Sequence, residues 1–122
     1  MKMPQLSVGV CAYNEAKNLE VIVSQLLSQK LRKAILKEII IVSSGSTDGT
    51  DGIAKKLASG DRRVIFLREQ KRNGKVSAVN MVLDRAKGDI IFISGADLRL
   101  NDDTLDRMVA KFSDAKVGMV GA

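Results

Sequence analysis

A doubly wound α/β domain built on a mainly parallel sheet is predicted by three features of this chain. Short apolar runs alternate with amphipathic stretches from end to end. The runs are rich in β-branched residues, and the connections between elements are short and polar. Strand–helix alternation with short connections implies a parallel sheet with helices packed on its faces.

The elements follow in order. Residues 5–12 read as a first strand that ends at the polar turn Tyr13-Asn14-Glu15. In the next stretch Leu19, Ile22, Val23, Leu26 and Leu27 recur at helical spacing, and Asn14 is expected to cap that helix. Residues 38–43 form a continuous β-branched run, which suits a strand buried on both faces. The turn from Ser44 to Thr50 leads into a short helix with Ile53, Ala54, Leu57 and Ala58, stopped at Gly60. Residues 64–67 are the third strand. A charged loop from Arg68 to Gly74 precedes a helix whose Val79, Val82, Leu83 and Ala86 are expected to face inward, stopped at Gly88. Residues 89–94 are the fourth strand. Asn101 is expected to cap a last helix carrying Leu105, Met108, Val109 and Phe112, and residues 117–120 read as a fifth strand.

Composition narrows the function. At 122 residues the chain suits one domain, burying roughly 65–70% of its unfolded surface. Apolar residues are 45% and charged residues 28%, the balance of a globular protein. The net charge of +6 fits an anionic partner such as a diphosphate or a lipid surface, or else a solvated basic face. Lys30, Arg32, Lys33 and Lys37 are the densest basic cluster and the best candidate for a peripheral membrane contact. Nucleic acid is not expected as a partner. Stacking needs exposed aromatics, and Phe66, Phe92 and Phe112 all lie in apolar runs. With no histidine, catalytic triads and histidine bases are excluded. The lone Cys11 permits no intrachain disulfide, which suits the reducing cytoplasm, and it reads as a small buried hydrophobe. No targeting segment or membrane span is evident.

In doubly wound sheets ligands bind beyond the carboxyl ends of the strands, where strand order reverses. The loops at residues 12–15, 43–50 and 94–98 are therefore where a site is expected. The first turn lacks the glycines of a dinucleotide fingerprint, and Gly74-Lys75-Val76 fails the phosphate-loop pattern. What remains is an ordered set: Ala12-Tyr13-Asn14-Glu15 after strand one, Gly45-Ser46-Thr47-Asp48-Gly49-Thr50 after strand two, Arg72-Asn73-Gly74-Lys75 with Asn80 before strand four, and Gly95-Ala96-Asp97 after it. This order resembles the family-two, inverting glycosyltransferases of the GT-A fold, across nearly the whole chain.

The resemblance implies a donor-binding portion of a GT-A domain over residues 1–122, binding a nucleoside-diphosphate sugar through Tyr13, Glu15, Ser43, Ser44, Gly45, Asp48, Arg72, Lys75 and Asn80. Tyr13 would stack a base or pack on its own helix. Ser43 and Ser44 could bond a base edge or ribose. Gly45 allows a positive φ after the strand. Asp48 would contact the ligand or cap the following helix. Arg72 and Lys75 would neutralise the diphosphate or lie in a solvated loop, and Asn80 would orient that loop or sit on a polar helix face. Two departures stand out. The paired aspartates usual after strand two are Ser43 and Ser44, and the usual Asp-x-Asp is Gly95-Ala96-Asp97, leaving Asp97 alone to hold Mg²⁺ or Mn²⁺. The family's catalytic base and acceptor site come from beyond the fifth strand, so no catalytic residue is assigned. This chain by itself is expected to transfer no sugar and to associate with a second chain through the open sheet edge. The alternative is a non-catalytic nucleotide-binding or interaction module. A sugar nucleotidyltransferase would need a glycine- and arginine-rich first turn, which residues 12–15 contradict.

Overall fold

The computed structural model describes residues 3–71, 74–111 and the backbone of 119–121. Nine elements alternate: β1 Gln5–Ala12, α1 Ala16–Leu27, β2 Ile35–Ser44, α2 Thr50–Gly60, β3 Val64–Glu69, α3 Lys75–Arg85, β4 Ile90–Gly95, α4 Thr104–Ala110 and β5 Met119–Gly121. The strands form one five-stranded sheet in the order β3-β2-β1-β4-β5, and every pairing is parallel. The order reverses between β1 and β4, so the crevice expected of such a sheet opens at the ends of these two strands.

Alternation along the strands divides the core. Leu6, Val8, Val10, Ile39, Ile41 and Phe92 face α1, α2 and α4, where Leu19, Ile22, Val23, Leu26, Ala54, Leu105 and Val109 complete the larger cluster. On the other face Ile40 and Val42 pack with Ala78 and Val82 of α3. That helix lies close on β1, because a Cβ placed at Gly9 would stand 2.5 Å from a Val82 methyl.

Four expectations change. β2 begins at Ile35 rather than at residue 38: Ile35 and Leu36 pair with Gln5 and Leu6 before a register shift at Leu6/Ser7. The bulge brings the buried Glu38 beside Ser7, whose hydroxyl it accepts at 2.6 Å, while the same carboxylate oxygen takes the Lys87 amide. Asn14 does not cap α1. It adopts φ 51°, the N-cap is Glu15, and the Asn14 side chain accepts the Thr47 amide at 2.7 Å. Asn101 is not the cap of α4 either. The N-cap is Asp103, and the Leu105 amide is satisfied from the distant α1–β2 connection, by Gln29 Oε1 at 3.0 Å. Leu83 is not inward: it is 38% exposed, while Ala78 and Val82, one helical turn apart, fill the contact with the sheet. Phe112 and residues 117–118 lie outside the described residues.

Candidate functional site

A cavity of about 250 Å³ opens at the carboxyl ends of β1, β2 and β4. Cys11, Ala12, Tyr13 and Glu15 line it from the end of β1, and Ser44 from the end of β2. Gly74, Lys75 and Ala78 contribute from the start of α3, and Gly95, Ala96 and Asp97 from the end of β4. Four segments far apart in sequence thus meet at the crevice where the strand order reverses.

The loops hold one another through the first turn of α1. Successive backbone amides there find acceptors in the β2–α2 loop: Asn14 donates to Ser46 Oγ at 3.1 Å, Glu15 to Thr50 Oγ1 at 3.0 Å, and Ala16 to Asp48 Oδ2 at 3.2 Å. These amides have no partner within the helix, so side chains of the neighbouring loop serve as its cap. The other Asp48 oxygen accepts the Thr50 amide and hydroxyl. The Thr50 hydroxyl, followed by the Ala16 and Thr50 amides, holds the Asp48 carboxyl below its ordinary range. Asp48 therefore joins the N-termini of two helices. It is not a lining residue of the cavity.

The remaining expected site residues separate. Tyr13 is 42% exposed on the cavity rim. The Glu15 carboxylate accepts Asn18 Nδ2 at 3.3 Å and faces the cavity. Ser43 and Ser44 point to opposite faces of the sheet. Ser44 reaches the cavity, whereas Ser43 shares the face of Ile39 and Ile41 and donates its hydroxyl to Ser46 at 2.9 Å. Gly45 has φ 62°, and its amide donates to the Glu69 carbonyl at 2.9 Å. Gly74 has φ 91°, which starts α3 so that Lys75 stands at the cavity mouth. Asn80 is exposed on α3 and away from the cavity. Arg72 lies outside the described residues. Cys11 is not a fully buried hydrophobe: it is half-buried and lines the cavity. Burial raises its thiol pKa, Lys75 pulls it down and Glu69 pushes it up. Its strand parity, shared with Gly9 and opposed to Val10, could have foretold this. Glu69 itself was not anticipated. A polar residue closing an apolar strand was the available signal.

Asp97 is exposed at the β4 end and makes no hydrogen bond or ion pair with a described residue. No group of three or more potential ligand side chains is assembled for a metal among the described residues. An unengaged carboxylate beside an open cavity still fits Mg²⁺ or Mn²⁺, which accept phosphate oxygens and water for the rest of their shell. Of the basic cluster, Lys30, Arg32 and Lys33 are exposed at the opposite pole. Acidic groups lie among them: Lys30 pairs with Asp102 at 3.8 Å, and Asp106 accepts the Arg32 and Lys33 amides. No described helix is long and apolar enough to cross a membrane.

The model of the family described as Glycosyl transferase family 2 matches residues 7–122. The chain belongs to glycosyl transferase family 2. Its sequence is 29% identical to the glycosyltransferase AglE of Haloferax volcanii over 119 residues, covering 98% of this chain and 39% of that protein. It is 32% identical over 112 residues to the poly-beta-1,6-N-acetyl-D-glucosamine synthase of Staphylococcus aureus, covering 91% and 26%. Among solved structures, the mannosyltransferase PcManGT of Pyrobaculum calidifontis, in complex with GDP-Man and Mn²⁺, superimposes with a TM-score of 0.83 at 33% identity, covering 96% of this chain and 34% of that one. The chain thus spans well under half the length of these relatives. The GT-A fold expected from the sequence is the fold observed.

Proposed function

We propose that this chain holds the donor of a sugar transfer, a nucleoside-diphosphate sugar seated in the cavity between β1, β2 and β4. The observation that carries this reading is the convergence of Tyr13, Ser44, Lys75 and Asp97 on one cavity at the switch point of the sheet. Lys75 neutralises the diphosphate at the mouth, and Tyr13 offers a flat face to the base. Gly74 and Gly95 keep the backbone open to the ligand. Glu15 lines the cavity from the N-cap of α1. Asp97 would hold Mg²⁺ or Mn²⁺ with diphosphate oxygens, and that cation would supply the positive charge that lets the diphosphate depart. In the transfer an acceptor hydroxyl attacks the anomeric carbon, the bond from that carbon to the diphosphate oxygen breaks, and the hydroxyl proton passes to a base. We assign no such base within these 122 residues. We expect them to bind the donor weakly and to transfer no sugar alone.

Calorimetry with UDP, GDP and their sugars in the presence of Mn²⁺ tests the reading. Lys75→Ala should weaken binding by about 10- to 100-fold, the worth of a hydrogen bond to a charged group. Asp97→Ala should abolish the gain from Mn²⁺. Tight binding indifferent to both substitutions would move the site elsewhere. Sugar transfer by the 122 residues would show that the base lies within them.

A further inference from the structure

Glu69 closes β3 and is not itself a lining residue, yet it joins two elements that are. Its side chain is buried, at 8% exposure. Oε1 accepts the Ser44 hydroxyl at 2.5 Å, and Oε2 accepts the hydroxyl of Ser77 in the first turn of α3. Its backbone carbonyl accepts the Gly45 amide at 2.9 Å. The carboxylate therefore ties the end of β2 to the helix that carries Lys75.

We propose that Glu69 is a positioning residue for the nucleoside end of the cavity: it holds the single proton of Ser44, so that Ser44 Oγ presents only lone pairs to the ligand and takes an N–H or O–H of the nucleoside as its partner. The proposal rests on the reading of the cavity as a nucleoside-diphosphate site. A carboxylate has no proton to give, so both serine hydroxyls must donate to it, and such charge-assisted bonds are the strong, short kind. A phosphate oxygen placed at Ser44 would set lone pair against lone pair. Phosphates are thereby turned away from Ser44 Oγ, towards the end of β4 where Asp97 stands. Strand order supports that polarity: β2 and β4 flank β1, so Ser44 and Asp97 face each other across it. Glu69 and Ser44 thus fix which way round the donor lies.

The test compares UDP, GDP and inorganic pyrophosphate, followed by phosphorus NMR so that millimolar affinities are readable. Glu69→Gln supplies an amide that can itself donate to Ser44 and release its proton towards the cavity. Glu69→Gln and Ser44→Ala should each weaken UDP and GDP roughly 3- to 10-fold, the range of one neutral hydrogen bond. Pyrophosphate, which has no nucleoside, should keep its affinity within about two-fold. Ser77→Ala, which leaves the Ser44 bond intact, should change neither ligand. With the 2′-deoxy nucleotides, retained sensitivity to Ser44→Ala assigns the donor to the base and lost sensitivity assigns it to the ribose. A parallel fall in pyrophosphate binding would reduce Glu69 to a structural tie and overturn the proposal. So would unchanged UDP and GDP binding in both Glu69→Gln and Ser44→Ala, the second serving if the first does not fold. Failure of the underlying reading looks different: pyrophosphate and nucleotides alike would ignore Lys75→Ala.

Discussion

Ser43 and Ser44 are neighbours in the chain and strangers in the fold. A strand sends successive side chains to opposite faces, so one serine braces the loop around Ser46 while the other reaches the ligand cavity. The same parity puts Cys11 in the cavity wall, where it becomes a reporter. It is the only cysteine, and burial, the largest influence on it, holds its thiol above the ordinary pKa. Alkylation by iodoacetamide, followed by mass spectrometry across pH, should be slow near neutrality and slower still with UDP or GDP bound. Lys75→Ala removes a nearby cation that favours the thiolate, so the rate profile should move to higher pH. Glu69→Gln removes an anion that disfavours it and should move the profile lower. Profiles that do not separate in this order would mean that neither group acts on the thiol.

At the scale of elements, α3 and β1 approach through Gly9. Gly9→Ala drives a methyl into Val82 and should destabilise the domain by about 1–3 kcal/mol, as overpacking does. Val82→Ala alone leaves a cavity on that face. Combining the two should cost less than the sum in urea unfolding, because the shortened side chain makes room for the methyl. Strict additivity would mean that the two residues are not in contact. The clamp between α1 and α2 is electrostatic. The native pKa of Asp48 is depressed, so its contribution is present above the unfolded carboxylate range and is lost as pH falls through the native value. Asp48→Asn should therefore lower the unfolding midpoint at pH 6, with the gap to the parent chain closing in strong acid. A gap that persists unchanged in acid would mean that the charge of Asp48 is not what matters.

At the scale of the molecule, β3 and β5 are the two outer strands of the sheet among the described residues, and strand edges of this kind recruit partners. On α3, which packs over β1 and β2, Val76 is 75% exposed and Leu83 38%, adding apolar surface on one face of the sheet. We expect association with a second chain through an open sheet edge at high concentration. Sedimentation showing one monomeric species up to millimolar protein would refute it.

The sequence by itself determined the succession of elements, their type and the fold family. Periodicity in α1 and the β-branched run of β2 are local signals, and the motif order survives without coordinates. Element ends were less legible. β2 starts three residues early because β1 offers it partners across a bulge, and a first-turn amide of α4 is satisfied by Gln29 from the α1–β2 connection. The site was legible as loops and not as a surface. Asp48 carries a motif aspartate, yet it bonds the amides of two helices. Ser43 faces away, Cys11 faces in, and Glu69 joins the site through two serines. Only the tertiary structure decided these, because which face a side chain takes depends on strand parity and register. Which groups meet depends on a strand order that places β4 beside β1, 84 residues apart at the Gln5–Asp89 bond.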